Sequence, residues 1–211
     1  MSNVLVICAK RYNGHELWTL LGVLQSRGHT FEVVSQELTI KDELTLQPNT
    51  IERLVYSVNP DEMAEKFDAV SVVSGNMADT EAYWTDPHVE SILSAAKFKH
   101  KVLSAICCSV PTLAPHVSGV KVSYFPLVRS GRRLSKFGAV LQSVSLTVDA
   151  NVVTAENQMI SQMWAEEICN LLEGKPPTYH LTNSGYVPKG RPRRMDKDVQ
   201  KAIDDAKIPN K

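Results

Sequence analysis

Lys101-Val102-Leu103-Ser104-Ala105-Ile106-Cys107-Cys108-Ser109 reads as a short buried strand that stops at two adjacent thiols. Every residue from Val102 to Ile106 is apolar or small, which suits a strand covered on both faces, as in a parallel sheet. Two more stretches have the same character, Val4 to Cys8 and Ala69 to Ser74, and Phe31 to Ser35 reads as a fourth strand. Helical patterns lie between them. Asn13-Gly14 opens one, with Leu17, Leu20, Leu21 and Leu24 on a single stripe and Gly28 just past its last turn. Asn59-Pro60-Asp61-Glu62 is a helix start, with a cap, a proline at the first position and an acidic first turn. A further helix from about Asp86 presents Val89, Ile92, Leu93 and Ala96 together. Toward the end, Val144–Val148 and Val152–Ala155 form a hairpin turned at Asp149-Ala150-Asn151, and a helix runs from about Gln158 to Leu172. Strands alternating with helices predict an α/β fold, a doubly wound, mostly parallel sheet with helices on both faces, of the flavodoxin-like kind.

The chain has 211 residues, with 23 Lys+Arg balanced by 23 Asp+Glu. That length and a 43% hydrophobic content supply a buried core and exclude bulk disorder. No apolar run reaches the roughly 18 residues of a membrane-spanning helix. Four cysteines without metal-ligand spacing predict free thiols in a reducing, cytoplasmic setting, and no metal. Neither GxGxxG nor GxxxxGK[ST] occurs, so no nucleotide cofactor is expected. The charge balance hides an asymmetry: residues 1–174 are net acidic and residues 175–211 net basic, with Pro and Gly concentrated in the latter. The predicted organisation is a globular body, 1–174, and a basic tail, 175–211.

In an open α/β sheet, ligands bind at the carboxyl ends of the strands. Three such ends carry chemistry here: His15-Glu16 after the first strand, Ser74-Gly75-Asn76 after the third, and Cys107-Cys108-Ser109 after the fourth. A thiol where a strand turns sharply into a helix is lifted over the sheet, and a helix amino terminus favours its thiolate. The competing reading of Cys107 is a small buried hydrophobe, and of Glu16 a solvated acid in a first turn. Cys8 and Cys169 read as core thiols.

The segment Ser104 to Leu113 resembles the nucleophile elbow of the ThiJ/PfpI superfamily, within the class I glutamine amidotransferase-like fold. Val4–Lys10 with Glu16, Phe67–Asn76, Val120–Leu127 and Val152–Gly174 follow in that family's order. The resemblance implies that Cys107 is a nucleophile or redox-sensing thiol and that Glu16 is the carboxyl group hydrogen-bonded to its sulfur. It implies that the backbone N–H groups of Gly75 and Cys108 form an oxyanion hole, and that the protein is a homodimer. Relatives include glyoxalases, isocyanide hydratases and peptidase-like proteins. This sequence departs from them where a general base is expected: Cys108 directly follows the nucleophile in place of His, and Phe125 precedes Pro126. A Cys–His peptidase is therefore disfavoured. His15, Asn76, Glu156 and Asn157 are candidate pocket residues, and His88 and His116 read as surface or satisfied.

Two functional readings follow. In the first, a cysteine-dependent hydrolase or lyase acts on small electrophilic metabolites, using the Cys107 thiolate and Glu16 as proton donor. In the second, the same fold is a non-catalytic redox sensor or partner-binding module. Pro188-Lys189-Gly190-Arg191-Pro192-Arg193-Arg194 resembles an AT-hook, whose arginines enter the minor groove of A·T-rich DNA, so Arg191, Arg193 and Arg194 are candidate nucleic-acid contacts. The competing reading is a solvated tail, followed by a short amphipathic helix over 196–206.

Overall fold

The computed structural model of the chain describes residues 1–179. Arg191, Arg193, Arg194 and the helix expected over 196–206 lie outside the described residues. The central sheet has seven strands: β1 (Asn3–Cys8), β2 (Thr30–Ser35), β3 (Arg53–Leu54), β4 (Ala69–Val73), β5 (Val102–Ile106), β6 (Leu146–Asp149) and β7 (Val152–Ala155). Their spatial order is β6-β7-β5-β4-β1-β2-β3. All neighbours are parallel except the β6–β7 hairpin. The order reverses between β1 and β4, which pair from Val4↔Ala69 to Cys8↔Val73, and this is the topological switch point.

Among the described residues six α-helices accompany the sheet: α1 (Gly14–Ser26), α2 (Pro60–Lys66), α3 (Met77–Ala82), α4 (Pro87–Phe98), α5 (Val128–Lys136) and α6 (Ser161–Leu172). Strand residues divide strictly by parity. Leu5, Ile7, Val70, Val72, Leu103 and Ala105 pack with Met63 of α2 and with Val89, Ile92, Leu93 and Ala96 of α4. Val4, Val6, Cys8, Ala69, Val73, Val102 and Ile106 pack on the other face, with Leu17, Leu20, Leu21 and Leu24 of α1 and Trp164, Ala165 and Ile168 of α6. Both faces are therefore dry, which is why β1, β4 and β5 are nearly continuous apolar runs; each fully buried Leu or Ile contributes roughly 1.5–3 kcal/mol. Two serines interrupt this pattern, and they satisfy each other: Ser104 Oγ donates to Ser71 Oγ across β5 and β4 at 2.7 Å.

Local signals set the helix ends. Asn13, Asn59 and Asp86 cap α1, α2 and α4 through their side-chain oxygens, and Gly28 follows α1 at φ 75°. Where the sequence predicts a helix after Cys107, the chain forms a ten-residue 3-10 helix, Cys107–His116. Pro111 and Pro115 lie inside it and remove the amides an α-helix would use. Arg133 of α5 donates to the carbonyls of Pro111 and Trp84, supporting the segment from outside. Three elements were not read in the sequence: the small sheet Arg11–Tyr12, Thr39–Asp42 and Pro48–Thr50, the short α3, and the largely polar α5. The chain also stays on the body past Gly174, since the N–H groups of Thr178 and Tyr179 both donate to Glu167 Oε1 at 2.7 Å. Among the described residues no helix is long and apolar enough to cross a membrane.

Candidate active site

Three chain segments meet at the carboxyl ends of β1, β4 and β5. β5 delivers Cys107, which adopts φ 58°, a left-handed conformation rare for a residue with a side chain. That conformation costs about 1 kcal/mol or more and turns the thiol out of the strand, leaving it half-buried at the surface. The bend is braced by Ser109, whose hydroxyl accepts from Ile106 N at 3.1 Å and is 2.7 Å from the carbonyl of Val72 on β4. Cys108 points the other way and is 3% exposed, its thiol donating to Gly75 O at 3.7 Å, and its own carbonyl accepts from Trp84 Nε1.

β4 delivers Ser74, Gly75 and Asn76. Gly75 lies so close to the Arg11–Tyr12 strand that a Cβ would sit 2.0 Å from Arg11 O and 2.6 Å from Tyr12 Cα. Backbone bonds from Asn13 N to Ser74 O and from Asn76 N to Arg11 O flank this contact. Asn76 caps α3 and accepts from Arg11 Nη2 at 3.0 Å, while Arg11 also pairs with Asp79 at 2.6 Å.

β1 leads through Asn13 into α1, whose third residue is Glu16. Its N–H is capped by Asn13 Oδ1, and its side chain is wholly buried. Glu16 Oε2 accepts from Ser74 N at 3.0 Å and from Ser74 Oγ at 2.6 Å. Glu16 Oε1 has no partner, so the carboxyl bonded to the Cys107 sulfur that the family resemblance implies is here bonded to Ser74 instead. Burial pushes the Glu16 carboxyl up to about 8, outweighing the two Ser74 bonds that favour the carboxylate. At neutral pH it is mostly a protonated acid inside the protein.

The thiols divide one charge between them. Cys108 is drawn down to about 6, first by a hydrogen bond from the Cys107 thiol, with the Thr80 and Ser74 hydroxyls and the Gly75 backbone assisting against burial. Cys107 is raised correspondingly, because its thiol donates to Cys108, it is largely desolvated, and Glu16 lies nearby. The pair thus holds one proton and one negative charge, with Cys108 favoured as the anion. Cys8 and Cys169 are buried, and desolvation pushes both up to about 12, as fits core thiols.

Of the other residues singled out in the sequence, His15 is exposed beside Glu16 without a hydrogen-bond partner, and neither cysteine receives an imidazole among the described residues. His88 Nε2 lies 3.0 Å from Val58 O and is satisfied, whereas His116 is buried with Nε2 unpaired, contrary to its reading as satisfied. Glu156 bonds Ser145 and Asn157 caps the turn Gln158–Ile160. Residues without a role in the sequence reading complete the site. Asn13 Nδ2 donates to Glu43 Oε1 at 3.0 Å and Gln158 Oε1 at 2.9 Å, and burial raises the Glu43 carboxyl. Among the described residues no three His, Cys, Asp or Glu side chains converge as a metal site. A surface cavity lined by Lys97, His100, Lys101 and Asn151 lies at the opposite, amino-terminal end of β5.

Comparison with known proteins fits this architecture. An uncharacterized protein of Methanocaldococcus jannaschii is 29% identical over 175 residues, covering 81% of this chain and 82% of its own. Among solved structures, the ThiJ/PfpI domain protein of Brachyspira murdochii matches with a TM-score of 0.73 at 20% identity, covering 82% of this chain and 98% of its own. Drosophila melanogaster DJ-1beta matches with a TM-score of 0.68 at 18% identity over 100% of both chains. The profile of the DJ-1/PfpI family matches residues 2–171, a span that holds all seven strands, both elbow cysteines and Glu16, and the chain belongs to the DJ-1/PfpI family.

Proposed function

We propose that this protein is a cysteine-dependent enzyme of small electrophilic metabolites, of the aldehyde or isocyanide kind. The observation that carries the reading is a half-exposed thiol turned out at φ 58° above a wholly buried, protonated carboxyl group. In attack on an aldehyde, the Cys107 thiol gives its proton to the Cys108 thiolate, the Cys107 sulfur pair forms the bond to carbon and the C=O π pair moves to oxygen. The N–H groups of Gly75 and Cys108 are the candidate donors to that oxyanion, and the Glu16 proton neutralises it. Peptide hydrolysis needs a base to charge a poor leaving amine, and the absence of an imidazole beside Cys107 among the described residues disfavours it. The test is turnover of glyoxal, methylglyoxal, an isocyanide and a simple amide by wild type and Cys107→Ser. Turnover of one of the first three, lost in the variant, supports the enzyme. Turnover that survives the substitution removes Cys107 from the mechanism.

A second reading, a redox sensor, is favoured by one feature: the vicinal thiols hold a negative charge at neutral pH, and a thiolate is what peroxide oxidises. Absence of turnover on the whole panel, with rapid peroxide modification confined to Cys107 and Cys108, supports that reading over the first.

A further inference from the structure

From Ser91 to Val148 the sequence contains eight Lys and Arg and no Asp or Glu, whereas the rest of residues 1–174 carries six against 19. The fold gathers much of this positive charge at the amino-terminal ends of the strands, opposite the thiols. α4 and α5 cover the same face of the sheet, Val89, Ile92 and Leu134 belonging to one core. α4 runs into the exposed stretch Lys97-Phe98-Lys99-His100, directly before β5, and α5 ends in Lys136-Phe137. A line of hydrogen bonds joins the two ends. Gly119 N donates to Gly138 O at 2.9 Å and Val140 N to Val120 O at 2.9 Å; Lys121 N donates to Asp149 Oδ2 at 2.8 Å and Asn151 Nδ2 to His100 O at 2.7 Å.

Cations gather at helix carboxyl ends because of the free carbonyls there, which accounts for Lys97 and Lys136 but not for Lys99, His100 and Lys121. Among the described residues Lys97, Lys99, Lys121, Arg132 and Lys136 have no acid within ion-pair reach, while Lys101 pairs with Asp68 and Arg129 with Glu81. The carbonyls that would repel an anion are occupied, those of Ala95, Ala96 and Lys97 accepting from Lys99 N, Lys101 N and His100 N. A cavity of about 290 Å³ opens at this point, lined by Lys97, His100, Lys101 and Asn151. Phe98, between two of the lysines, is 79% exposed with Lys99 Nζ 5.9 Å from its ring centre, and Phe137 is partly exposed with Arg133 at 5.1 Å. We propose that this face binds single-stranded nucleic acid, its lysines meeting phosphates and its exposed Phe98 and Phe137 rings stacking on bases. Such strands are held by cations interleaved with aromatic rings, since every link carries a phosphate and every base a π-face. A lipid surface fits less well, because it takes a continuous apolar face and α5 turns Leu134 into the core. The chain's own tail is not the occupant, since residues 175–211 are themselves net basic.

The experiment follows labelled oligo-dT and oligo-U of about 12 nucleotides on the full chain by fluorescence anisotropy. A duplex of the same length, poly-glutamate and vesicles of phosphatidylserine with phosphatidylcholine are the contrasting probes. At least one single strand is expected to bind, the better of the two telling RNA from DNA, and raising salt from about 50 to 200 mM is expected to weaken it at least tenfold. Phe98→Ala, at a ring that supports no core, is expected to weaken binding roughly tenfold without lowering the melting temperature. Lys97→Ala with Lys99→Ala is expected to reduce the salt slope by about 1.4. Replacing Arg191, Arg193 and Arg194 of the tail by Ala is expected to leave the Phe98→Ala loss at its full size. A loss confined to that tail variant assigns the contact to the tail and overturns the proposal. So does an absence of single-strand binding, or equal binding of the duplex, poly-glutamate or vesicles that ignores Phe98→Ala. Cys107→Ser is expected to bind as wild type does, so this result and the substrate panel succeed or fail separately.

Discussion

At Glu16 the protein keeps a carboxyl group where water cannot reach it, and this has a thermodynamic signature. Its folded pKa, about 8, lies above the ordinary value of 4.5, so the folded state binds the proton more tightly than the unfolded chain. The resulting stabilisation is fully present below pH 4.5, declines as the pH rises to 8, and changes no further above it. One such group accounts for roughly 5 kcal/mol across that window. Glu16→Gln removes this titration, so the stability of the variant relative to wild type is expected to rise from pH 5 to pH 8. Urea midpoints of both proteins at the two pH values measure this, and a pH-independent difference refutes it. Turnover by wild type is expected to fall above pH 8 as the donor ionises, and Glu16→Gln to lose roughly 100-fold. Cys107 stood out because it directly follows an apolar strand, whereas Glu16, eight residues past the first strand, was singled out by the family resemblance. Ser74 could be seen as a turn residue but not as the partner of Glu16, because that contact joins residues 58 apart and depends on β1 and β4 lying side by side. The lowering of Cys108 was equally hidden, for it depends first on Cys107 and then on Thr80, which lies on a helix with no apolar pattern to announce it.

At the scale of elements, the site depends on how closely two backbones approach. Gly75 leaves no room for a Cβ against Arg11 O and Tyr12 Cα, which are both backbone and cannot swing aside. Gly75→Ala must therefore push the Arg11–Tyr12 strand off the end of β4, at a cost of about 1–3 kcal/mol or more. It also displaces the Gly75 N–H from the cysteines. A thermal melt and the Cys107 alkylation rate are both expected to report it, and a variant with unchanged stability would mean that the strands are not in contact. By contrast, Asp86→Ala removes the α4 cap, which accepts from His88 N and Val89 N and bonds neither cysteine. It should cost about 1 kcal/mol and leave alkylation of Cys107 unaltered. Elements with a strong local code were legible: the caps at Asn13, Asn59 and Asp86, the apolar stripes of α1 and α4, and the hairpin turn at Ala150, which adopts φ 50°. Those held by tertiary contacts alone were not. α5 buries little besides Ser130, Gly131 and Leu134, and is fixed by Arg133 reaching the carbonyls that Pro111 and Trp84 leave free. The elbow helix is 3-10 for a reason visible in the sequence, its two prolines, although the strand-to-helix pattern alone suggested an ordinary helix.

Over the whole molecule, the shift in composition near Gly174 coincides with the end of helix α6, and the described chain beyond it, to Tyr179, is bonded to the body. Residues 175–179 contain Pro176 and Pro177, so only three backbone N–H groups need acceptors. Lys175 N donates to Asn170 O at 2.8 Å, and Thr178 N and Tyr179 N both donate to Glu167 Oε1 at 2.7 Å. Glu167 is wholly buried, and its second oxygen accepts from Asn170 Nδ2, which also reaches the Thr178 hydroxyl. Asn170 in turn accepts from Arg27 at the end of α1, and Arg27 pairs with Glu173, so a single polar cluster ties the first helix, the last helix and the segment beyond it. A charged acceptor bonded to buried amides contributes about 1.5–3 kcal/mol, and leaving those amides unpaired costs a similar amount. Glu167→Ala is therefore expected to speed hydrogen exchange at Thr178 and Tyr179 by roughly 10- to 100-fold, which is that energy read as a local opening equilibrium. Glu167→Gln keeps a carbonyl oxygen at the same place and should retain most of the protection. The Glu167 carboxyl bonds only groups of α6 and of the segment beyond it, so exchange in β4 and β5 and alkylation of Cys107 should remain as in wild type. Unchanged exchange at Thr178 and Tyr179 in Glu167→Ala would show that the apolar packing of Tyr179 against the α1–α6 face, rather than the buried carboxylate, holds the segment to the body.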